Sequence, residues 1–402
     1  MPELAIVRSP HSKPAAVKPP VDRLETIQIL RGVAAMLVVY NHAGLLLIQA
    51  TERLGQSLLV PTEAFATFGS IGVDLFFVIS GFVMAMSARG FDGQRDGARF
   101  LALRFVRIAP LFYIFCLLWL TQLLPAGVPV SPGTMSNSLL FLPLIDQTEY
   151  SWPIHYLGWT LSFEFMFYLI VSGLIASGQS RNATMLLLAM LALPLLSYPF
   201  SDGLVLWHMF TNPIQWEFAM GVGLFLLWQA QLLRRIRMAT LAGLLFSVVL
   251  LAGMLLQGEA IFLAKDTVNG TTSAARALYW GVPMALLLCL LLGSEPLTSG
   301  RPRRLLTAVG DASYSIYLSH LFVVRAAKEV VERDWLPFGP GQGADLLLGV
   351  VLVLSAIVGF GVHRLMERPL LSWGRLRVKL FFLRRPDNSL EGSPGNASKH
   401  PH

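Results

Sequence analysis

The chain predicts an all-α fold, a polytopic transmembrane helical bundle of about ten spans. Three observations carry that prediction. Only 14% of its 402 residues are charged, against about 25% in soluble proteins. Apolar stretches of membrane-spanning length recur along the chain. The cations also alternate, gathering on every second connecting segment.

The spans are expected at about 27–49, 67–88, 105–124, 155–176, 183–198, 209–229, 239–257, 276–293, 305–326 and 344–366. The fifth is short, with Pro194 near its end to break it. The ninth is the least apolar and is expected to be shielded by its neighbours. Ten spans put both termini on one side. The segments on that side hold 25 of the 31 Lys and Arg residues, so the positive-inside rule makes both termini cytoplasmic. The net charge of +7 is thereby absorbed as topology, leaving little to argue for nucleic acid.

Residues 1–23 hold five prolines and read as a disordered tail. They are not a secretory signal, because the apolar run that follows is too long for one and contains Arg31. The membrane domain is expected over 24–371, followed by a tail at 372–402, basic and then disordered. Cys116 and Cys289 both fall in apolar stretches and read as small core residues. The longest outer loop, about 125–154, carries five prolines around Leu139-Leu-Phe-Leu142. It suits either the membrane interface or the roof of a cavity. No inverted repeat is visible, which weakens a transporter reading.

Ionisable side chains inside a span are costly, which makes each one a candidate for function. Arg31 and His42 are eleven residues apart on the first helix. They share one face, with a rise of roughly 16 Å between them. Arg31 therefore belongs at the inner surface and His42 near mid-depth. Arg104 and Arg107 lie at the inner end of the third span. Three guanidinium groups there could take phosphate oxygens from the cytoplasm, or they could be topology signals that snorkel to headgroups.

Asn41 adjoins His42. Asp74 and Ser80 lie on the second span, Ser162 and Glu164 on the fourth and Glu217 on the sixth. Tyr317 and His320 lie on the ninth, where Ser313, Tyr317 and His320 share a face. An imidazole beside a carboxylate makes a workable general base, so His42 with Asp74 or Glu164 fits that pattern. The alternative for each group is a hydrogen bond that joins helices. The glycines Gly72, Gly81 and Gly221 most simply permit close packing. The histidines and acids lack ligand-type spacing, so no metal is expected.

These segments resemble the acyltransferase 3 family of bacterial integral-membrane O-acyltransferases. Six motifs carry the resemblance, in order, across about 24–371. They are Gln28-Ile-Leu-Arg31-Gly-Val-Ala-Ala with His42 following, Gly72-Val-Asp74-Leu-Phe-Phe-Val-Ile-Ser80-Gly81-Phe82, Arg104 to Pro110, Trp159-Thr-Leu-Ser162-Phe-Glu164, Ala312-Ser-Tyr-Ser-Ile-Tyr-Leu-Ser-His320 and Glu367-Arg368-Pro369. The first, second and fourth are closest in wording to members linked to exopolysaccharide production.

The resemblance implies transfer of an acyl group, usually acetyl from acetyl-CoA as co-substrate, to a hydroxyl of a polysaccharide or lipid-linked oligosaccharide at the bacterial inner membrane. It implies no permanently bound cofactor. Other polysaccharide-synthesis proteins are candidate partners. On matching positions, His42 would be the catalytic base or a transient acyl carrier. Arg31, Arg104 and Arg107 would hold the CoA phosphates. Glu164 would orient His42 or contact the acceptor, with Asp74 and Ser80 shaping the site. About 30 residues follow Leu371, too few for the soluble esterase-like domain some members append. Either the membrane domain completes transfer or a separate protein does. The alternative from another class is a transporter or flippase of a glycolipid or polymer with a His/acid proton relay.

Overall fold

A computed structural model describes residues 21–144, 148–179, 183–196, 204–233, 235–259, 261–293, 300–335 and 343–383. Nearly all of the predicted N-terminal tail, and the C-terminal tail from 384 onward, lie outside these. Every regular element among the described residues is helical. The principal helices are α1 (Val21–Gln49), α2 (Glu63–Ala88), α3 (Gln94–Leu123), α4 (Gly158–Ala176), α5 (Ala183–Leu196) and α6 (Gln215–Gln229). They continue with α7 (Arg237–Gln257), α8 (Ser273–Gly293), α9 (Gly300–Asp311), α10 (Ser313–Glu332) and α11 (Ala344–Leu383).

Each of the ten predicted segments contains helix, but among the described residues seven helices are long and apolar enough to cross a membrane: α1–α4, α7, α8 and α11. The other three fall short for physical reasons. In α5 the α-helix stops at Ala192 and tightens into a 3₁₀ turn over Leu193–Leu196, at Pro194. Only 15 residues remain in α6, because Pro213 separates it from the short helix Val205–Phe210. The second half of α10 carries Arg325, Lys328, Glu329 and Glu332.

Two helices run past their predicted ends. The basic stretch before the third span is already helical from Gln94, and α11 continues to Leu383. Hydropathy marks where a helix is apolar, whereas backbone hydrogen bonding continues wherever water or protein satisfies the side chains.

Glycines set the close approaches at the centre. A Cβ on Gly81 would collide with the Phe218 carbonyl of α6, and one on Gly221 with the Val78 carbonyl of α2. Gly72 is pressed likewise on the Ala34 carbonyl of α1. Small residues let helix backbones touch in this way where lipid supplies no hydrophobic drive. As a result α2 is clamped between α1 and α6. The loop after α3 folds a short helix, Pro132–Leu140, capped by the Ser131 hydroxyl, which accepts from the Thr134 amide. That loop buries Phe141 and His155 completely. Two π-turns interrupt long helices, at Ala277–Gly281 in α8 and His363–Glu367 in α11.

Candidate active site

Two cavities meet at the cation-rich end of the bundle. The narrow one, about 110 Å³, runs between α1, α2, α3, α4 and α10. Its polar lining is Arg31, Ser80, Arg104, Arg107, Thr160, Glu164 and three tyrosines, and apolar residues such as Phe76, Phe77 and Leu161 complete the wall. The wide one, about 950 Å³, is lined on its far side by α11. Arg31, Arg104 and Arg107 line both cavities and so stand at their junction.

The three guanidinium groups differ in what already holds them. Arg107 is ion-paired with Glu367 and lies over the Tyr314 ring, 5.6 Å from its centroid. Glu367 also accepts from the Ser315 hydroxyl at 2.6 Å and pairs with His363 Nδ1 at 2.9 Å. The π-turn at His363–Glu367 inserts an extra residue into the helix at this clasp. Arg104 lies 5.0 Å from the Phe100 ring centroid, and its buried Nε has no hydrogen-bond partner among the described residues. Arg31 makes no ion pair within 4 Å among them. Its charge is felt by Glu164, whose carboxylate accepts from the Ser80 hydroxyl at 3.2 Å and from the Tyr168 hydroxyl. Two of the three cations therefore keep donors free for an anion.

At the inner limit of the narrow cavity, the Tyr317 hydroxyl bonds to Thr160 at 2.7 Å and donates to the Leu157 carbonyl at 3.2 Å. Its ring is 6.2 Å from that of His320, which is 5.0 Å from that of His42. His320 Nε2 and His42 Nδ1 are 3.2 Å apart. His320 Nδ1 lies 3.2 Å from the Ile316 carbonyl, and His42 Nδ1 lies 2.9 Å from the Val38 carbonyl. Carbonyl oxygens only accept, so these contacts assign the proton to Nδ1 on both rings. His320 Nε2 is then an acceptor facing His42, and His42 Nε2 is left as the basic nitrogen. The Asn41 amide lies 3.4 Å from His42 Nδ1.

The predicted pairing of His42 with Asp74 or Glu164 is corrected by this geometry. Asp74 instead takes a two-pronged bond from Arg276, with Nε and Nη2 each 2.8 Å from a carboxylate oxygen. Arg276 also donates to the Ser70 carbonyl and the Thr267 hydroxyl, and packs 5.0 Å from the Trp280 ring centroid. Glu217 lies in the field of both Asp74 and Arg276, held against Gly281 of the π-turn. All three ionisable groups are completely buried. The reason is placement: Asp74 occupies the first turn of Ile71–Ala88, on the face turned to α8. Glu164 instead faces the narrow cavity beside Arg31 and Arg104. Ser162 is also apart from the cavities. It is buried, donates back to the Gly158 carbonyl at 3.3 Å, and lies 3.5 Å from the Tyr150 hydroxyl.

Several residues of these clusters escaped the sequence reading. Arg276 was visible only as one of the six cations on the sparse side, although it opens an apolar run. Glu367 lies in a motif that was read for its family resemblance and not for its charge. His155 sits in the outer loop; its Nε2 is 3.0 Å from the Leu318 carbonyl and its ring packs among Phe112, Phe115 and Trp119. Burial pushes its imidazole down to about 4.

The helices define a multi-pass membrane protein with a cation-lined cavity at one end and a buried imidazole pair beyond it. The chain belongs to the acyltransferase 3 family, whose acyltransferase-domain model matches residues 24–364. It is thus an acyltransferase, and the transporter or flippase alternative is not favoured. It is 29% identical to the exopolysaccharide production protein ExoZ of Rhizobium meliloti (strain 1021), over 83% of this chain and 96% of that protein. It is 28% identical to the acyltransferase MdmB of Streptomyces mycarofaciens, over 87% of this chain and 92% of that one. No solved structure matches it.

Proposed function

We propose that the protein moves an acetyl group from cytoplasmic acetyl-CoA to a hydroxyl of an exopolysaccharide or lipid-linked sugar at the bacterial inner membrane. The observation that carries this reading is the junction of the two cavities at Arg31, Arg104 and Arg107. Coenzyme A has a bulky, phosphate-bearing nucleotide and a thin thioester arm. The wide cationic cavity suits the first and the narrow, largely apolar one suits the second. The cation-rich end, with both termini, is then cytoplasmic. The likeness to ExoZ supports a polysaccharide acceptor.

In the chemical step, His42 Nε2 takes the proton of the acceptor hydroxyl as its oxygen attacks the thioester carbonyl. The C–S bond breaks, and the imidazolium returns that proton to the departing thiolate. The Val38 carbonyl and His320 Nε2 share the His42 Nδ1 proton as acceptors, which keeps His42 Nε2 the basic nitrogen. Tyr317 and Thr160, at the end of the channel, separate the thioester from the imidazole pair until the acyl group arrives. Glu164 and Ser80 shape the channel wall.

The test is to compare polysaccharide O-acetate by NMR in wild type, a deletion strain and His42→Ala at equal protein levels. Loss of O-acetate in the last two is expected. Unchanged acetate in the deletion strain would sink the polysaccharide assignment, and full acetylation with His42→Ala would sink the mechanism.

A further inference from the structure

We propose that the second half of α11 is the recognition surface for the 3′-phosphorylated ribose end of the acyl donor, a site formed by Arg364, Arg368, Arg375 and Lys379. This rests on the acyl-CoA reading above and adds three residues outside the six motifs, with Arg368 from the Glu367-Arg368-Pro369 motif, to which no role was given. Three of the four lie beyond residue 364, where the family model ends.

The first observation is a face. Five cations lie on α11 after its π-turn begins: Arg364, Arg368, Arg375, Arg377 and Lys379. At about 100° per residue, the spacings of four, seven and four put Arg364, Arg368, Arg375 and Lys379 within a wedge of roughly 60°. Arg377 falls on the other side, 5.2 Å from the ring centroid of exposed Trp373. A topology signal counts charges near the membrane and has no reason to select one helix face.

The second observation is what that face looks onto. The same four residues, without Arg377, line the wide cavity, opposite Arg31, Arg99, Arg104 and Arg107. Among the described residues, Asp311 is the sole acid in the lining. Arg375 lies in the repulsive field of Arg107, and Arg104 in that of Arg375. Like charges gathered around a cavity of about 950 Å³ call for a polyanion.

The helix is also fixed where it must be. Gly374 is pressed on the Val106 side chain of α3, so any larger residue there would push Arg375 away from Arg104 and Arg107. Two turns back, Glu367 clasps Arg107, Ser315 and His363. With 40 residues, α11 is about 60 Å long, twice a hydrocarbon core of ~30 Å. Its second half therefore projects from the membrane on the side that carries the wide cavity.

Connectivity assigns the phosphates. The diphosphate joins the thioester arm to the nucleotide, so it belongs at the junction with Arg31, Arg104 and Arg107. The ribose 3′-phosphate is the far anionic group and falls to the α11 face. A lipid headgroup could supply a phosphate to the same cations, so the test separates the two sources.

Purified full-length protein in nanodiscs would be assayed with acetyl-CoA and with acetyl-3′-dephospho-CoA, with and without anionic lipid. Wild type should show a KM for the dephospho donor about tenfold higher. Arg368→Gln and Arg375→Gln should each raise KM for acetyl-CoA severalfold, leave KM for the dephospho donor in place and keep kcat. Arg377→Gln should change neither. The proposal is overturned if wild type does not discriminate between the donors, if the α11 variants weaken both donors alike, if Arg377→Gln matches them, or if the effect vanishes without anionic lipid. Failure of wild type to turn over either donor would instead bring down the acyl-CoA reading itself, and this inference with it.

Discussion

The two ends of the bundle treat buried charge in opposite ways. At the sparse end, Arg276 is consumed by Asp74, by Ser70 and Thr267 and by the Trp280 ring, and the cluster is completely buried. At the cavity junction, Arg107 alone of the three arginines has a carboxylate partner within bonding distance among the described residues. Arg31 and Arg104 face cavities with donors to spare. A sealed, ion-paired arginine holds helices together, although both Glu217 oxygens beside it lack a hydrogen-bond partner among the described residues, whereas an open arginine with donors to spare waits for a ligand. Residue type alone does not separate the two cases, since both are arginines at the ends of apolar runs.

The sharpest way to break this contrast is to remove Arg276. Arg276→Leu leaves Asp74 and Glu217 buried without their cation, at a cost of about 3–5 kcal/mol. Thermal unfolding in detergent should show a large loss of stability or of folded protein. Adding Asp74→Leu to it should recover part of the loss. A variant Arg276→Leu that is fully stable but inactive would move this cluster from architecture to catalysis.

His155 tests the sparse end by pH. Its imidazole is buried and held near 4, while an unfolded imidazole titrates near 6.5. The unfolded chain thus binds the proton first. Stability should be fullest above about pH 6.5, fall by about 3 kcal/mol as pH drops to about 4, and level off below that. His155→Gln should make that slope shallower in melting curves across this window. An unchanged slope would show that the ring is already charged in the folded protein.

Arg31→Ala should behave in the opposite sense to Arg276→Leu, with an unchanged melting temperature and a KM for acetyl-CoA raised about 10–100-fold. An effect confined to the acceptor would refute its role. Glu367→Gln is the intermediate case and the smallest effect. It weakens the hold on Arg107 at about 1–2 kcal/mol of stability, and its shift in donor KM should be smaller than that of Arg31→Ala. A collapse like that of Arg276→Leu would mean that the clasp belongs to the sealed class.

Much of the fold was legible because apolar runs and cation alternation report directly on which segments enter a membrane. The gathering of Arg31, Arg104 and Arg107 was legible for the same reason, since all three lie at span ends on one side. Partners were not. His42 meets His320 across 278 residues of chain, and depth along a helix does not say which face of which neighbour is opposite. The π-turns hid two more partners. Each inserts a residue that 3.6-residue periodicity does not anticipate, beside Arg276 in α8 and around Glu367 in α11. The helical reach of α3 back to Gln94 and of α11 on to Leu383 was missed because those turns are basic, and hydropathy does not register them.

The most direct test of the division between a binding entrance and a reactive imidazole pair is the acetyl-CoA kinetics of purified Arg31→Ala and His42→Ala, measured side by side. Arg31→Ala should raise KM with kcat largely kept, and His42→Ala should abolish kcat while acetyl-CoA still binds. Normal turnover by His42→Ala, or an Arg31→Ala that loses kcat with KM unmoved, would contradict it.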